Sequence, residues 1–443
     1  MRQDRRPCLG QKQSPVLPFG TLTTYYIGTP KESWIGMSSL IKVLIVAFLL
    51  VIALRKHINL GIAMLVSSVL LGLMFHMKPL DIVSEMVTSV LEVDSLKIIA
   101  SLTLVMVLEG ILREAGFLKD MTGSLRVILR DQRLVAALLP MFIGLLPSAG
   151  GALFSAPLVD EITTDLPLSP EKKSFINYWF RHPMELIIPI YPVTIITSQV
   201  LGLPMWRYVS VMFPYFLIVI VSGAVVAFRG CPNANPEVSE NHAPGLSDWI
   251  SLMRGLAPIT SVVFATVVMR LDVAIAIGIV ILITVLFTRV PASNLVQHLK
   301  RAVTGSIIPM ICGVMAFKGV LEASGAVQGL AESFEILGVS KVTVAFAMPF
   351  LVALLTGHGA ATAGVAMPVI AGLRASGGIA DLGLRLIPLA VISGHAGLMI
   401  SPAHLCFPIT VGHFKADFGR VSQFVAMAST AGVLVALVFA VIA

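Results

Sequence analysis

Leu146-Pro147-Ser148-Ala149-Gly150-Gly151 and Thr356-Gly357-His358-Gly359 are two polar, glycine-rich interruptions, each set inside a long apolar stretch. They close a longer repetition. Met106–Ala152 aligns without gaps to Met315–Ala361 at a constant offset of 209 residues. Gly110, Leu112, Gly116, Pro140, Leu145, Leu146 and Gly150 fall on Gly319, Leu321, Gly325, Pro349, Leu354, Leu355 and Gly359. Shared apolarity alone does not put glycine and proline in register. In a membrane-embedded chain, duplication with matched interruptions points to a secondary transporter whose binding site lies at the breaks.

The two apolar stretches, 134–165 and 342–372, each reach their polar tip and resume as a second short arm containing a proline, Pro157 or Pro368. Neither arm has the roughly 20 residues a spanning helix needs, so both stretches are expected to be re-entrant helical hairpins rather than kinked helices. A tip at mid-depth is tolerated only where protein or a wet cavity satisfies its backbone. Glycine lets backbone N–H groups approach a ligand, and the second arm begins at the tip, so its positive end points to the membrane centre. Ser148 and Thr356 are placed to cap those ends. Two such ends facing one another favour an anion. The expected substrate-binding residues are Ser148, Gly150, Gly151 and Ser155 at the first hairpin, and Thr356, Gly357, His358, Gly359 and Thr362 at the second. The alternative, glycines that only permit close helix packing, leaves their repeat register without a reason.

The span after each hairpin is interrupted as well. In the first half, 175–203 contains Pro189-Ile190-Tyr191-Pro192; in the second, the matching region reads Ser393-Gly394-His395-Ala396-Gly397 and then Ser401-Pro402. Proline frees a helix carbonyl, and freed carbonyls and restarted half-helices at mid-membrane suit Na⁺ and anions respectively. Ser393 and His395 join the binding set on this ground. Ionisable residues inside spans are functional by default. The densest group is Arg181-His182-Pro183-Met184-Glu185, where Arg181 and Glu185, four apart, are expected on one helix face. Arg181, His182 and Glu185 are assigned to coupling or charge relay, with a structural ion pair as the competing reading. His358, His395 and His404 are further groups able to titrate near neutrality. Glu109 and Lys318 hold equivalent repeat positions with opposite charge, but in an inverted repeat they face opposite sides and do not meet.

Outward from these segments, the chain is a membrane protein by composition: 443 residues, 56% hydrophobic and 12% charged, with a mean hydropathy of +0.92, against about 25% charged in a soluble domain. The net charge of +7 sits in short loops, where it sets topology, and no nucleic-acid partner is implied. Cys8, Cys231, Cys312 and Cys406 are scattered, without CxxC or Cys/His spacing, which argues against a disulfide framework or a zinc site. No metal and no cofactor is expected, apart from Na⁺ as a coupling ion. Ten spans are read at 38–54, 58–75, 96–112, 175–203, 208–228, 252–269, 271–288, 303–321, 383–411 and 421–442. Segments 117–130 and 326–338 look like short interfacial helices.

The expected fold is therefore all-α integral membrane, with about 10 transmembrane helices plus two re-entrant hairpins in two inverted-topology repeats. Five spans and a hairpin per half force the second half to start from the opposite side. The divisions are a tail at 1–36, a first repeat at 37–228, a cytoplasmic linker at 229–251 and a second repeat at 252–443. Loops carrying Arg55, Lys56, Arg113, Arg126, Lys172, Lys173, Lys300, Arg301, Lys415 and Arg420 are expected to be cytoplasmic. Both termini then lie outside, and the hairpins enter from opposite faces. The basic, proline-rich 1–36 opposes that orientation and has no signal-peptide h-region, so Met37 is the expected start.

This layout resembles the ion transporter superfamily, which includes gluconate permeases, dicarboxylate carriers and arsenite-pump membrane subunits. Within it, Leu146–Gly151, Arg181–Glu185 and Pro189–Pro192 are similar to a family of bacterial and archaeal predicted permeases of unassigned function, over about 38–442. The resemblance implies a moving transport domain of hairpins and broken helices on a scaffold that is often a homodimer. The tips lack the Ser-Asn-Thr frequent in dicarboxylate carriers, which argues against a dicarboxylate. The expected function is secondary transport of a small anion, an organic acid, across the cytoplasmic (inner) membrane with H⁺ or Na⁺ coupling. The alternatives are an ion channel and an intramembrane serine hydrolase. The chain carries no Walker motif, GxSxG elbow or HExxH helix, and an enzyme is not expected.

Overall fold

The computed structural model describes residues 30–56, 58–129, 131–145, 151–231, 244–288, 290–304, 307–375 and 380–442. Among these the chain forms α-helices and no strand. The first ten are α1 (Pro30–Arg55), α2 (Leu60–Met74), α3 (Pro79–Leu91), α4 (Val93–Glu114), α5 (Phe117–Ile128), α6 (Gln132–Ile143), α7 (Gly151–Ile162), α8 (Pro170–Trp179), α9 (Pro192–Val200) and α10 (Met205–Phe228). The next ten are α11 (Leu246–Val263), α12 (Val273–Thr288), α13 (Ala292–Thr304), α14 (Ile307–Ala323), α15 (Ala326–Ile336), α16 (Lys341–Thr356), α17 (Gly359–Ala375), α18 (Ala380–Ile400), α19 (Cys406–Phe414) and α20 (Phe418–Ile442).

Local chemistry sets many of these boundaries. Gly116 and Gly325 adopt left-handed φ of 76° and 74° and end α4 and α14, as glycine permits at a helix C-terminus. Asp131 accepts from the Arg133 N–H at 2.9 Å to open α6, and Ser340 accepts from the Thr343 N–H at 3.0 Å to open α16. Ser169 caps α8, with Pro170 at its first position. Gly202 and Lys415, both at positive φ, follow α9 and α19.

Five helical segments are long and apolar enough to cross a bilayer: Val93–Glu114, Met205–Phe228, Leu246–Val268, Ser293–Ala323 and Phe418–Ile442. Large apolar side chains stay exposed along outer helices, among them Phe48, Leu282, Leu286, Phe287, Val438 and Ile442. An apolar surface on this scale is not stable in water. The chain is an all-α, multi-pass membrane protein.

The centre is built from α8, α18 and the segments that follow them. Ser174–Met184 and Leu386–Met399 are buried at every position. The Trp179 indole donates to Val219 O at 3.0 Å, directly over Gly223, where a Cβ would collide with it. Phe175 stacks on Trp179 at 5.5 Å.

The helices depart from the sequence reading at four places. α3 and the helical stretch α13, ahead of the expected span at 303–321, pack on α14 and α4, respectively; their mixed polarity hid them from a reading of spans. α8 ends at Trp179, so Arg181 and Glu185 do not share a helix face. Pro183 opens a short 3₁₀ turn, Pro183–Leu186, in its place, because proline has no N–H to continue the α-helical ladder. In the second half, Ser393–Gly397 is helical, and the chain breaks only at 401–405. Gly394 and Gly397 let α18 lie against Pro349 and Phe350 of α16. The region after Arg229 yields to α11 at Leu246, six residues before the expected end of the linker. Residues 1–29, most of the expected tail, lie outside the described residues.

Candidate functional site

The second polar interruption is a tight helix-to-helix turn. Gly357 has φ +66° and its N–H returns to Ala353 O at 2.8 Å, ending α16; α17 starts two residues later. α16 and α18 run parallel, because their contacts climb together: Ser393 Oγ donates to Ala345 O at 3.3 Å, and Ser401 Oγ donates to Leu354 O at 2.6 Å. The break at 401–405 therefore lies on the tip. A Cβ on Gly357 would stand 2.6 Å from His404 N, and His404 Nδ1 is 3.0 Å from Gly357 O.

On the described flanks of the first interruption the neighbour is Arg181. Gly144, at the end of α6, lies against the backbone of Arg181, and a Cβ on Gly151 would fall inside the Arg181 guanidinium. Tyr191 Oη donates to Gly144 O. Arg181 is 5% exposed, held between the end of α6 and the start of α7. Ser148 and Gly150 lie outside the described residues.

Two imidazoles join these halves. His182 Nε2 lies 3.0 Å from His404 Nε2, and His182 Nδ1 lies 2.7 Å from Tyr178 O. The Glu185 carboxylate stands 3.9 Å from His182 Nε2, while Thr194 Oγ1 donates to Glu185 O at 2.6 Å. Tyr178, whose hydroxyl donates to Met399 O at 3.0 Å, packs on both imidazoles at 4.8 and 5.9 Å. Cys406, at the start of α19, completes a cluster in which ligand atoms of His182, His404 and Cys406 lie within 4.8 Å of one another.

Beside this cluster is a cavity of about 30 Å³ bordered by Glu185, Thr197, Gly359, Thr362, Gly394 and His395. That is space for on the order of one water molecule. His395 is 8% exposed, and its Nε2 has no hydrogen-bond partner among the described residues. Gly359 touches Val193, the second residue of α9, with a Cβ distance of 3.3 Å. The N-termini of α9 and α17 thus meet at the cavity, and α7 packs on α19.

The other expected site residues divide. Thr356 Oγ1 accepts from His358 N at 3.3 Å, close to the expected cap. Thr362 borders the cavity and donates to His358 O at 3.2 Å. His358 is exposed and folds back on Thr356 O at 2.9 Å, apart from the His182–His404 pair. Ser155 donates to Gly151 O at 3.0 Å, and Ser393 bonds carbonyls of Ala345 and Ala390; both hydroxyls are spent on backbone. Cys406, Tyr178, Tyr191 and Thr197 were not in the expected set. Their separations in sequence, Cys406 from His182 above all, left no spacing signal. Glu109 and Lys318 pair within their own helices, with Arg113 at 2.7 Å and Glu322 at 3.7 Å.

Helices broken at the centre of the molecule, around buried Arg181 and His182 and half-buried Glu185, define a polytopic membrane protein with a polar interior site. The chain belongs to the family described as "Protein of unknown function (DUF401)", whose profile matches residues 36–442. No curated protein matches its sequence.

Proposed function

We propose that this protein is a secondary active transporter of a small anion, an organic acid, working by alternating access in the cytoplasmic membrane with H⁺ or Na⁺ coupling. The carrying observation is buried Arg181, enclosed by Gly144 and Gly151 of the first interrupted region, with its neighbour His182 reaching His404 at the turn of the second. α7 begins against it, the N-termini of α9 and α17 meet at the neighbouring cavity, and helix N-termini favour negative charge. Arg181 supplies a full cation where glycine at 144 and 151 leaves room for it. The cavity is too small for an organic acid, so loading requires the hairpins and broken helices to shift against the outer helices, as alternating access does.

An architecture of two inverted repeats, each with a re-entrant hairpin, supports this reading. Exchanging the halves turns the pairs α2·α14, α5·α11, α7·α19 and α3·α14 into α12·α4, α15·α1, α17·α9 and α13·α4, and each of these is also in contact. Gly110 lies against His298 and Gly319 against Ser89, both glycines and both partners being separated by the repeat offset of 209. Direction supports inversion. Gly61 of α2 meets Pro309 and Met310, while Met64 meets Gly313, so α2 runs parallel to α14. In an uninverted repeat α14 would follow α4, which returns across the membrane opposite to α2. A homodimer through the outer helices belongs to the same proposal, and no hydrolytic step does.

The test is uptake into proteoliposomes holding the purified protein, with a panel of labelled organic acids and an imposed pH or Na⁺ gradient. Accumulation of one acid above its external concentration is expected. Equilibration without accumulation would indicate a channel. Failure of every anion under both gradients would sink the proposal.

A further inference from the structure

His182 and His404 face one another through the wrong atoms for an ordinary hydrogen bond. Each Nδ1 lies against a backbone carbonyl, Tyr178 O at 2.7 Å and Gly357 O at 3.0 Å. A carbonyl only accepts, so each Nδ1 carries the proton. In the neutral imidazoles both Nε2 atoms then present lone pairs, 3.0 Å apart. Turning either tautomer over moves the same conflict to its carbonyl. The pair needs an electrophile between the two nitrogens, either a proton or a metal ion.

The surroundings favour the metal. A donor to carbonyl oxygen on the far nitrogen is how metal-bound histidine is oriented. Tyr178 packs on both rings and holds their rotamers. The third group, the Cys406 sulfur within 4.8 Å of both nitrogens, adds nothing to a shared proton but is a metal ligand. It stands at the first position of α19. We propose that His182 Nε2, His404 Nε2 and Cys406 Sγ form a site for a borderline-soft cation of the Zn²⁺ class. Two nitrogens and one sulfur suit zinc, whose bonds of about 2.0–2.1 Å to nitrogen and 2.3 Å to sulfur require only a small closing of the cluster. Binding releases the Cys406 proton to solvent. Three protein ligands leave a fourth position, with Glu185 beside it. Since His182 follows the first hairpin and His404 and Cys406 follow the second, the ion fastens the two broken spans together. The inference stands on this geometry and not on the transport reading.

Co²⁺ is the probe. The full chain, purified in detergent and stripped with a chelator, is titrated with Co²⁺ and followed by its absorption. We expect one equivalent per chain and a thiolate-to-cobalt charge-transfer band. Cys406→Ser, eluting as the same monodisperse species, should lose that band. His404→Gln should bind at least about tenfold more weakly. Zn²⁺ should displace the cobalt and erase the spectrum. A folded wild-type chain that takes up no Co²⁺ overturns the site and leaves the imidazoles sharing a proton. A band and affinity unchanged in both variants overturn it too, by placing the metal elsewhere.

Discussion

Gly357, rather than Gly359, carries the backbone constraint at the second tip. Its φ of +66° costs a residue with a side chain about 1–2 kcal/mol, and any Cβ there meets the Ala403–His404 peptide, at 2.6 Å from His404 N. At Gly359 the nearest obstacle is a Val193 side chain at 3.3 Å, which yields by a few tenths of an ångström. Gly357→Ala should therefore lower the thermal midpoint of the detergent-solubilised protein by several degrees, and Gly359→Ala should change it far less. Gly412→Ala, with no atom within 4 Å of the new Cβ, is the control. Equal midpoints for Gly357→Ala and Gly412→Ala would show that the tip tolerates a side chain and that its glycine has another purpose.

At the scale of elements, α3 and α13 turn the sequence repeat into packing. Both are polar on one side, and each lies across a glycine of the opposite half: Ser89 on Gly319, His298 on Gly110. Glu114 draws in α13 with His298 at 2.9 Å and Asn294 at 2.6 Å. Overpacking such a contact costs about 1–3 kcal/mol. Gly110→Val and Gly319→Val should each destabilise the protein by about that amount and to similar degrees, read as thermal midpoints of monodisperse protein. A large loss at one glycine with none at the other would contradict the equivalence of the two halves.

At the scale of the whole molecule, inversion makes a prediction about sides. Asp165 is exposed in the loop after α7, and Ser340 is exposed just before α16. If the halves are inverted, these positions lie on opposite faces. In a background lacking the four native cysteines, Asp165→Cys should react with an impermeant thiol reagent only from the cytoplasm. Ser340→Cys should react only from outside. Labelling of both from one side would remove the inverted architecture and with it the main support for alternating access.

The sequence by itself determined the membrane class and the place of the break at Thr356–Gly359. Apolar content, proline and glycine are local signals, and each acts within a few residues of where it is read. The repeat register even located Gly116 and Gly325, whose left-handed backbones end equivalent helices. What followed a proline was less legible. Pro183 dissolved the helix expected to carry Arg181 and Glu185 on one face, while Ser393–Gly397, which resembles a break, stayed helical because α16 packs into its glycines. Only the tertiary structure decided the meeting of His182 with His404 and Cys406. His182 stands more than two hundred positions from the other two, and it is the crossing of two broken spans, not any spacing along the chain, that brings their ligand atoms together.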